Sequence, residues 1–254
     1  MAKLSAYILT YNEEAKIEAA LKSISWADEI VVVDSGSTDR TIDLAKSYNA
    51  RVVHVEFEGF GKLRNSAVAA CSYDMVLSID ADERCTPEAR DEILSIIADP
   101  DAADAYLIPR RNYFMGKWIK HCGWYPDYRQ PQLFRRTSMV YRDEDLVHEG
   151  YVVNGKVGRL KNAIWQIPFK DLSQVIAKME RYSNLGADKL KARNVSGSMT
   201  KALVHGIGNF LRLYVLKLGF LDGWAGFVIA MSNFEGSFYK YAKMVEKDSN
   251  WGSP

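Results

Sequence analysis

Four short apolar runs, each followed by a stretch with helical periodicity, fill the first hundred residues of the chain. The runs at 5–10 (SAYILT), 29–34 (EIVVVD), 51–55 (RVVHV) and 75–80 (MVLSID) are rich in β-branched residues and predict buried strands. Helix-like stretches at 13–25, 40–49, 62–72 and 87–98 alternate with them. Asn12, Asp39 and Thr86 suit N-caps, and Pro87 suits a first helical position. Strands and helices that alternate in this way build a mostly parallel sheet with helices on its faces, so an α/β fold is expected.

Between 104 and 165 the pattern is irregular and aromatic, with strand-like pieces at 105–108, 132–135 and 157–165. These pieces are expected to extend the sheet and to supply loops over its C-terminal edge, where open α/β sheets bind ligands. Beyond 171 the chain reads as helical. Leu203, Val204, Ile207, Phe210, Leu211, Tyr214, Val215 and Leu218 recur at three- and four-residue steps and predict one amphipathic helix. The expected division is therefore a sheet domain over 1–170 and a helical extension over 171–254.

The chain has 254 residues, 48% of them hydrophobic and 26% charged, which is the make-up of a folded protein rather than a disordered or fibrous one. Its three cysteines have no CxxC spacing, which disfavours a disulfide framework and a zinc site. No basic segment followed by an apolar core opens the chain, so a cytoplasmic protein is expected. The net charge of +1 conceals a segregation, because residues 1–150 sum to −7 and residues 151–254 to +8. A basic, aromatic tail suggests an anionic partner for that part of the chain.

Three carboxylates close the fourth run, in Ile79-Asp80-Ala81-Asp82-Glu83. Like charges at the end of a buried strand are costly unless a cation sits among them, so a hard metal bound through oxygen is the functional reading, with a solvated turn as the plain alternative. Spacing i, i+2 on an extended backbone would turn Asp80 and Asp82 the same way. A haloacid dehalogenase type phosphatase also carries Asp-x-Asp after a strand, but Glu83-Arg84 fits that pattern poorly. In the second run Asp34 opens the loop Ser35-Gly36-Ser37-Thr38, where a carboxylate can accept from a nucleobase N–H or a ribose hydroxyl. No GxGxxG follows the first strand, which disfavours a dinucleotide fold.

Taken in order, Thr10-Tyr11-Asn12-Glu13-Glu14, the VVVDSGSTD segment at 31–39, Arg64-Asn65-Ser66-Ala67 and Asp80-Ala81-Asp82-Glu83 resemble the family 2 glycosyltransferases of GT-A fold. The segments RNYFMGK at 111–117, HCGWYPD at 121–127, QLFR at 132–135 and LVHE at 146–149 are similar to the lipopolysaccharide-core β-1,4-glucosyltransferase subfamily. That subfamily is known for moving glucose from UDP-glucose onto a heptose of the inner core. The resemblance implies an inverting transferase dependent on Mg²⁺ or Mn²⁺, with a nucleotide-diphosphate sugar as donor and a glycolipid or oligosaccharide as acceptor.

Residue by residue, the resemblance implies that Thr10, Asn12, Glu13, Asp34 and Arg64 hold the nucleoside. Asp82 is implied as the direct metal ligand, with Asp80 assisting through the ribose or a metal-bound water. Among the carboxylates Asp143, Glu144, Asp145 and Glu149, it favours Glu149 as the base, with His148 as its neighbour. Arg129, Arg135 and Arg136 are candidates to clamp the diphosphate, and Trp118, Trp124, Tyr125 and Tyr128 to face sugar rings.

The tail carries Lys189, Lys191, Arg193, Lys201, Lys240 and Lys243 beside apolar faces. It suits either an interfacial helix pair on anionic lipid at the inner face of the cytoplasmic membrane or packing within the protein. No nucleic acid partner is expected. A nucleotidyltransferase would need a Gly-rich, Arg-containing loop after the first strand, and a member that binds without turnover would not need the acidic set at Asp80, Asp82 and Glu149.

Overall fold

The computed structural model describes residues 3–142 and 150–247. The first half runs β1 (Leu4–Thr10), α1 (Ile17–Ser23), β2 (Glu29–Asp34), α2 (Thr41–Ser47), β3 (Arg51–His54), α3 (Phe60–Ala70), β4 (Met75–Ser78), β5 (Glu83–Arg84) and α4 (Pro87–Ala98). There follow β6 (Ala105–Leu107), β7 (Arg110–Phe114), β8 (Lys117–Trp118), β9 (Pro131–Arg135), β10 (Met139–Tyr141), β11 (Tyr151–Val153), β12 (Val157–Arg159) and β13 (Ile164–Gln166). Three helices close the chain, α5 (Leu172–Ala192), α6 (Met199–Leu211) and α7 (Trp224–Lys247). Contacts divide the chain into two units, Met1–Arg111 with Asp127–Gln166, and Asn112–Pro126 with Ile167–Pro254.

The first unit is an α/β layer structure around a seven-stranded sheet of order β12-β6-β9-β4-β1-β2-β3. All neighbours are parallel except β9, which runs antiparallel between β4 and β6. Side chains alternate across it: Leu4, Ala6 and Ile8 of β1 join a core with α1, α2 and α4, while Tyr7 joins the opposite core with α3, Met139 and Tyr141. Burial on both faces explains why the strands read as near-continuous apolar runs. The register pairs Thr10 with Asp34, so the C-terminal ends of β1 and β2 lie level.

Of the three expected caps, Thr86 accepts from Ala89 N at 3.1 Å with Pro87 in the first turn. The other two differ. Helix α1 begins only at Ile17, leaving Asn12 to accept from Thr38 N, and Asp39 stands one residue before the cap position Arg40, accepting from Thr41 N at 3.0 Å.

In the second unit α6 lies against α7 through small residues. A Cβ on Gly206 would come within 2.9 Å of the Phe234 ring, and Ala202 is fully buried in a cluster with Tyr241 and Met244. Helix α5 follows α7 in the same direction, with Val175 near Ile229, Met179 at Gly236 and Ser183 bound by Lys243. The amphipathic helix expected over 203–218 is α6 continued by a π-helical turn at Arg212–Leu216, and a 3-10 turn at Gly219–Asp222 follows it. Its periodic apolar face is also the outer one, with Leu203, Val204, Ile207, Leu211 and Val215 exposed. Among the described residues no helix is long and apolar enough to cross a membrane.

Candidate functional site

The C-terminal ends of β1, β2 and β4 carry most of the candidate residues, and the first two are joined by a loop that Asp34 organises. The Asp34 side chain is fully buried, and it accepts from Gly36 N and Ser37 N at 2.9 Å each, from Ser37 Oγ and from Thr10 Oγ1 at 3.1 Å. Burial opposes its charge, but these hydrogen bonds outweigh burial and hold the carboxyl below its usual range. Gly36, at φ +93°, makes the turn that brings both N–H groups onto one oxygen. Asn12, itself left-handed at φ +54°, accepts from Thr38 N at 2.8 Å while its own N–H donates to Ser37 Oγ. Beside them Ser35 Oγ is buried with no hydrogen-bond partner among the described residues. Asp34 and Thr10 thus hold the loop rather than present free groups to a ligand, and Ser35 is the group there with unused capacity.

Glu13 begins the next turn, its carbonyl accepting from Lys16 N and Ile17 N at 2.9 Å. Its carboxylate lies 3.8 Å from Lys16, and burial raises its pKa against that pull.

The acidic segment after β4 is a tight turn rather than an extended strand end. Glu83 N donates to Asp80 O at 2.9 Å, while Asp80 N donates to Glu83 Oε2 at 3.0 Å, so backbone and side chain close the turn together. The three carboxylates then have three different surroundings. Arg64, buried on α3, donates to Asp80 Oδ1 at 3.2 Å and to Ser78 Oγ at 3.1 Å. Against the cost of burial, Arg64 and Arg110 hold the Asp80 carboxyl below its usual range. Glu83 is fully buried, bound by Arg110 Nε at 2.5 Å and Gln132 Nε2 at 2.8 Å. Burial pushes it up to about 7 despite Arg110, with Asp80 and Asp82 adding to the rise.

Asp82 receives only the side-chain amide of Gln166, at 3.4 and 3.3 Å, and no described cation comes within ion-pair distance of it. Burial and the charge of Asp80 push it up to about 6. The Oε1 of Gln166 is buried beside it, unpartnered among the described residues. Among the described residues no three His, Cys, Asp or Glu side chains form a metal-holding group. A carboxylate with no described cation in ion-pair distance, next to an amide oxygen unpartnered among the described residues, nevertheless fits a hydrated divalent ion completed by oxygens of a bound ligand.

The remaining expectations divide. Arg129 is largely exposed and paired with Asp127 at 2.9 Å, yet its charge is felt at Asp80. Arg135 is a correction: it faces Met75 in the register, at the end of β4 away from Asp80, and pairs with Asp74 at 3.2 Å. Arg136 is bound at that same far end, to the carbonyls of Asp74 and Cys71. Because β9 is antiparallel, residues late in it arrive at the start of β4. Glu149, with His148, Asp143, Glu144 and Asp145, lies outside the described residues. Trp118, Trp124 and Tyr125 belong to the second unit, where Trp118 meets Tyr125 edge-on and Trp124 meets Phe114. Tyr128, in the first unit, lies under the Arg159 guanidinium.

Sequence reasoning missed Arg110 and Gln166, which come from distant strands, and quoted Gln132 for its motif without giving it a role. Arg110 opens the polar strand Arg110–Phe114 (RRNYF) beside Arg111, and nothing in the sequence sets it apart. Asn65 was quoted for its motif, and it clamps Tyr141 from both sides, donating to its carbonyl at 2.8 Å and accepting from its N–H at 3.0 Å.

A profile of known sequences, described as Glycosyl transferase family 2, matches residues 5–154. The chain is 31% identical over 255 residues to the lipopolysaccharide core biosynthesis glycosyltransferase LpsC of Rhizobium meliloti, covering 96% of this chain and 92% of that protein. It is 30% identical to an uncharacterized glycosyltransferase of Rickettsia bellii, covering 96% and 86%. In fold it is similar to the crystal structure of residues 1–349 of TarS from S. aureus, with TM-score 0.50, 16% identity and 98% and 93% of the two chains covered.

Proposed function

Because this chain belongs to glycosyl transferase family 2 and has a lipopolysaccharide-core glycosyltransferase among its relatives, we propose that it is an inverting hexosyltransferase that moves a sugar, glucose from UDP-glucose, onto a lipopolysaccharide inner-core or related glycolipid acceptor. The observation that carries the reading is Asp82: a carboxylate near the C-terminal end of the central strand, raised to about 6 although the charge of Lys16 reaches it, with no cation among the described residues in ion-pair distance, beside two carboxylates that have theirs.

The chain's own groups divide the work. Ser35 Oγ, with the loop that Asp34, Thr10 and Asn12 order, supports the nucleoside. Asp82, with Asp80 in support, would hold Mg²⁺ or Mn²⁺, which neutralises the donor diphosphate and makes it a better leaving group. Gln166 orients Asp82 by donating to both of its oxygens, and its free Oε1 accepts from a water or hydroxyl beside the diphosphate. Arg129 adds positive charge on the same side. Glu149 takes the proton of the acceptor hydroxyl as that oxygen attacks the anomeric carbon from the face opposite the diphosphate, which inverts the configuration. A glycolipid acceptor implies work at the inner face of the cytoplasmic membrane.

The reading is tested by incubating the purified protein, Mn²⁺ and UDP-glucose with a truncated inner-core acceptor. The expected product carries a new glycosidic bond of configuration opposite to that of the donor. Hydrolysis of UDP-glucose without transfer to any core acceptor would count against the proposed acceptor, and a retained configuration against the single displacement.

A further inference from the structure

From the second unit alone we propose that the turn joining α6 to α7 is a membrane-docking tip, inserted among the headgroups of an anionic bilayer. Helix α6 turns its small side inward and its large apolar side outward. The small residues Ala202 and Gly206 of α6 face α7, and the large apolar side chains Leu203, Val204, Ile207 and Leu211 face outward. At the end of the hairpin, Leu216 is 75% exposed and Trp224 78%, with Leu218, Phe220 and Leu221 exposed between them. Exposed apolar side chains of this kind, ending in a tryptophan, suit the boundary between headgroups and acyl chains.

Charge selects the lipid. From Ser198 to Trp224 the exposed charged residues are Lys201, Arg212 and Lys217, all basic. Asp222, the one acid in that stretch, is 2% exposed and turned inward, where it accepts from Lys120 N, His121 N and His121 Nδ1. The same contacts bring two more cations to the tip. Lys117 Nζ donates to Asp222 O at 3.0 Å, Cys122 N donates to Lys217 O at 3.0 Å, and Lys117 and Lys120 are both exposed. The tip is also rigidly built. A Cβ on Gly219 would lie 2.6 Å from Cys122 Sγ, and one on Gly226 would lie 1.9 Å from Gly219 O. A collar of Lys117, Lys120, Arg212 and Lys217 around an apolar point matches an anionic surface.

The lysines that sequence reasoning offered for this role stand elsewhere. Lys189, Lys191 and Arg193 end α5, Lys201 begins α6, and Lys240 and Lys243 are near the end of α7, so they gather at the other end of the bundle. Of these, Lys243 is bound to Ser183 Oγ and Lys201 to Ser196.

The experiment is co-sedimentation of the full chain with vesicles of phosphatidylglycerol and phosphatidylcholine, against phosphatidylcholine alone. The wild type should bind the anionic vesicles, more weakly as salt rises. Replacing Leu216 and Trp224 together by Glu should lower partitioning about tenfold for each side chain withdrawn from lipid, with an unchanged melting curve. K189E with K191E should leave binding within about twofold. Should the tip variant fold poorly, quenching of tryptophan fluorescence by brominated lipid decides instead, since W224F should lose most of it while still binding. The proposal is overturned if the wild type ignores vesicles, if the tip variant binds as the wild type does, if the lysines of the far end prove to carry the binding, or if W224F is quenched as strongly as the wild type. Concentration-dependent dimers abolished by the tip variant, without vesicle binding, would overturn it in favour of a second copy of this chain.

Discussion

Gln166 donates its side-chain amide to both carboxylate oxygens of Asp82, at 3.4 and 3.3 Å, although 84 residues separate them in the sequence. The contact comes from β13 pairing antiparallel with β5, which sets Gln166 opposite Glu83, next to Asp82. It gives Asp82 a fixed direction without giving it a counter-charge. Replacing Gln166 by Ala should therefore weaken metal-dependent nucleotide binding with a modest loss of stability, whereas Gln166→Glu should add repulsion and lower both. Calorimetric titration with UDP and Mn²⁺ reads the first effect and urea unfolding the second.

The charge of Asp82 should appear in the pH dependence of stability when metal is absent. Its pKa is raised from 3.8 to about 6 in the fold, so the native state holds the proton more tightly than the unfolded chain does. This group's contribution is therefore fully present below about pH 4, falls as the pH rises towards 6, and is flat above. Asp82→Asn should remove that fall and be more stable than the wild type at pH 7 in EDTA, as urea unfolding at a series of pH values would record. An unchanged pH profile would count against an uncompensated carboxylate.

The Glu83–Arg110 pair predicts the opposite kind of result. Both side chains are nearly inaccessible and 2.5 Å apart, so Glu83→Gln strands a buried guanidinium. The cost should be about 3–5 kcal/mol in urea unfolding above about pH 8, where Glu83 carries its charge, as for other buried pairs broken from one side, and smaller at lower pH. Replacing both partners by apolar residues should cost less than either single change.

Much of this arrangement was readable along the chain, and the boundary of what was readable is physical. The four βα units were legible because strands buried on both faces leave continuous apolar runs, and Thr86 because a cap and Pro87 are neighbours in sequence. The acidic cluster was legible as a cluster, but its division into one carboxylate held by Arg64, one by Arg110 and one with no described cation in ion-pair distance depends on a helix and strands that meet only in the fold. Arg135 was misplaced because the direction of β9 is set by pairing, not by composition. The tail's period was right and its sense was left open, since periodicity marks two faces of a helix without saying which one is covered. Here Gly206 decided the matter by admitting Phe234.

The acceptor base is tested by Glu149→Gln, which should lower turnover on the order of 10²-fold or more while leaving nucleotide-sugar affinity near the wild type. Asp145→Asn is the matched control and should stay active. A dead Asp145→Asn beside an active Glu149→Gln would move the base to Asp145.

The most direct measurement is the thermal shift produced by UDP in Mn²⁺ and in EDTA, for the wild type and for Asp82→Asn, with GDP, CMP and ADP for comparison. A ligand held only by the native state raises its melting temperature. The expected result is protection of the wild type by UDP with Mn²⁺, little in EDTA, little from the other nucleotides, and none for Asp82→Asn. Equal protection in EDTA and Mn²⁺, or an Asp82→Asn variant protected as well as the wild type, would contradict a cation shared between Asp82 and the donor diphosphate.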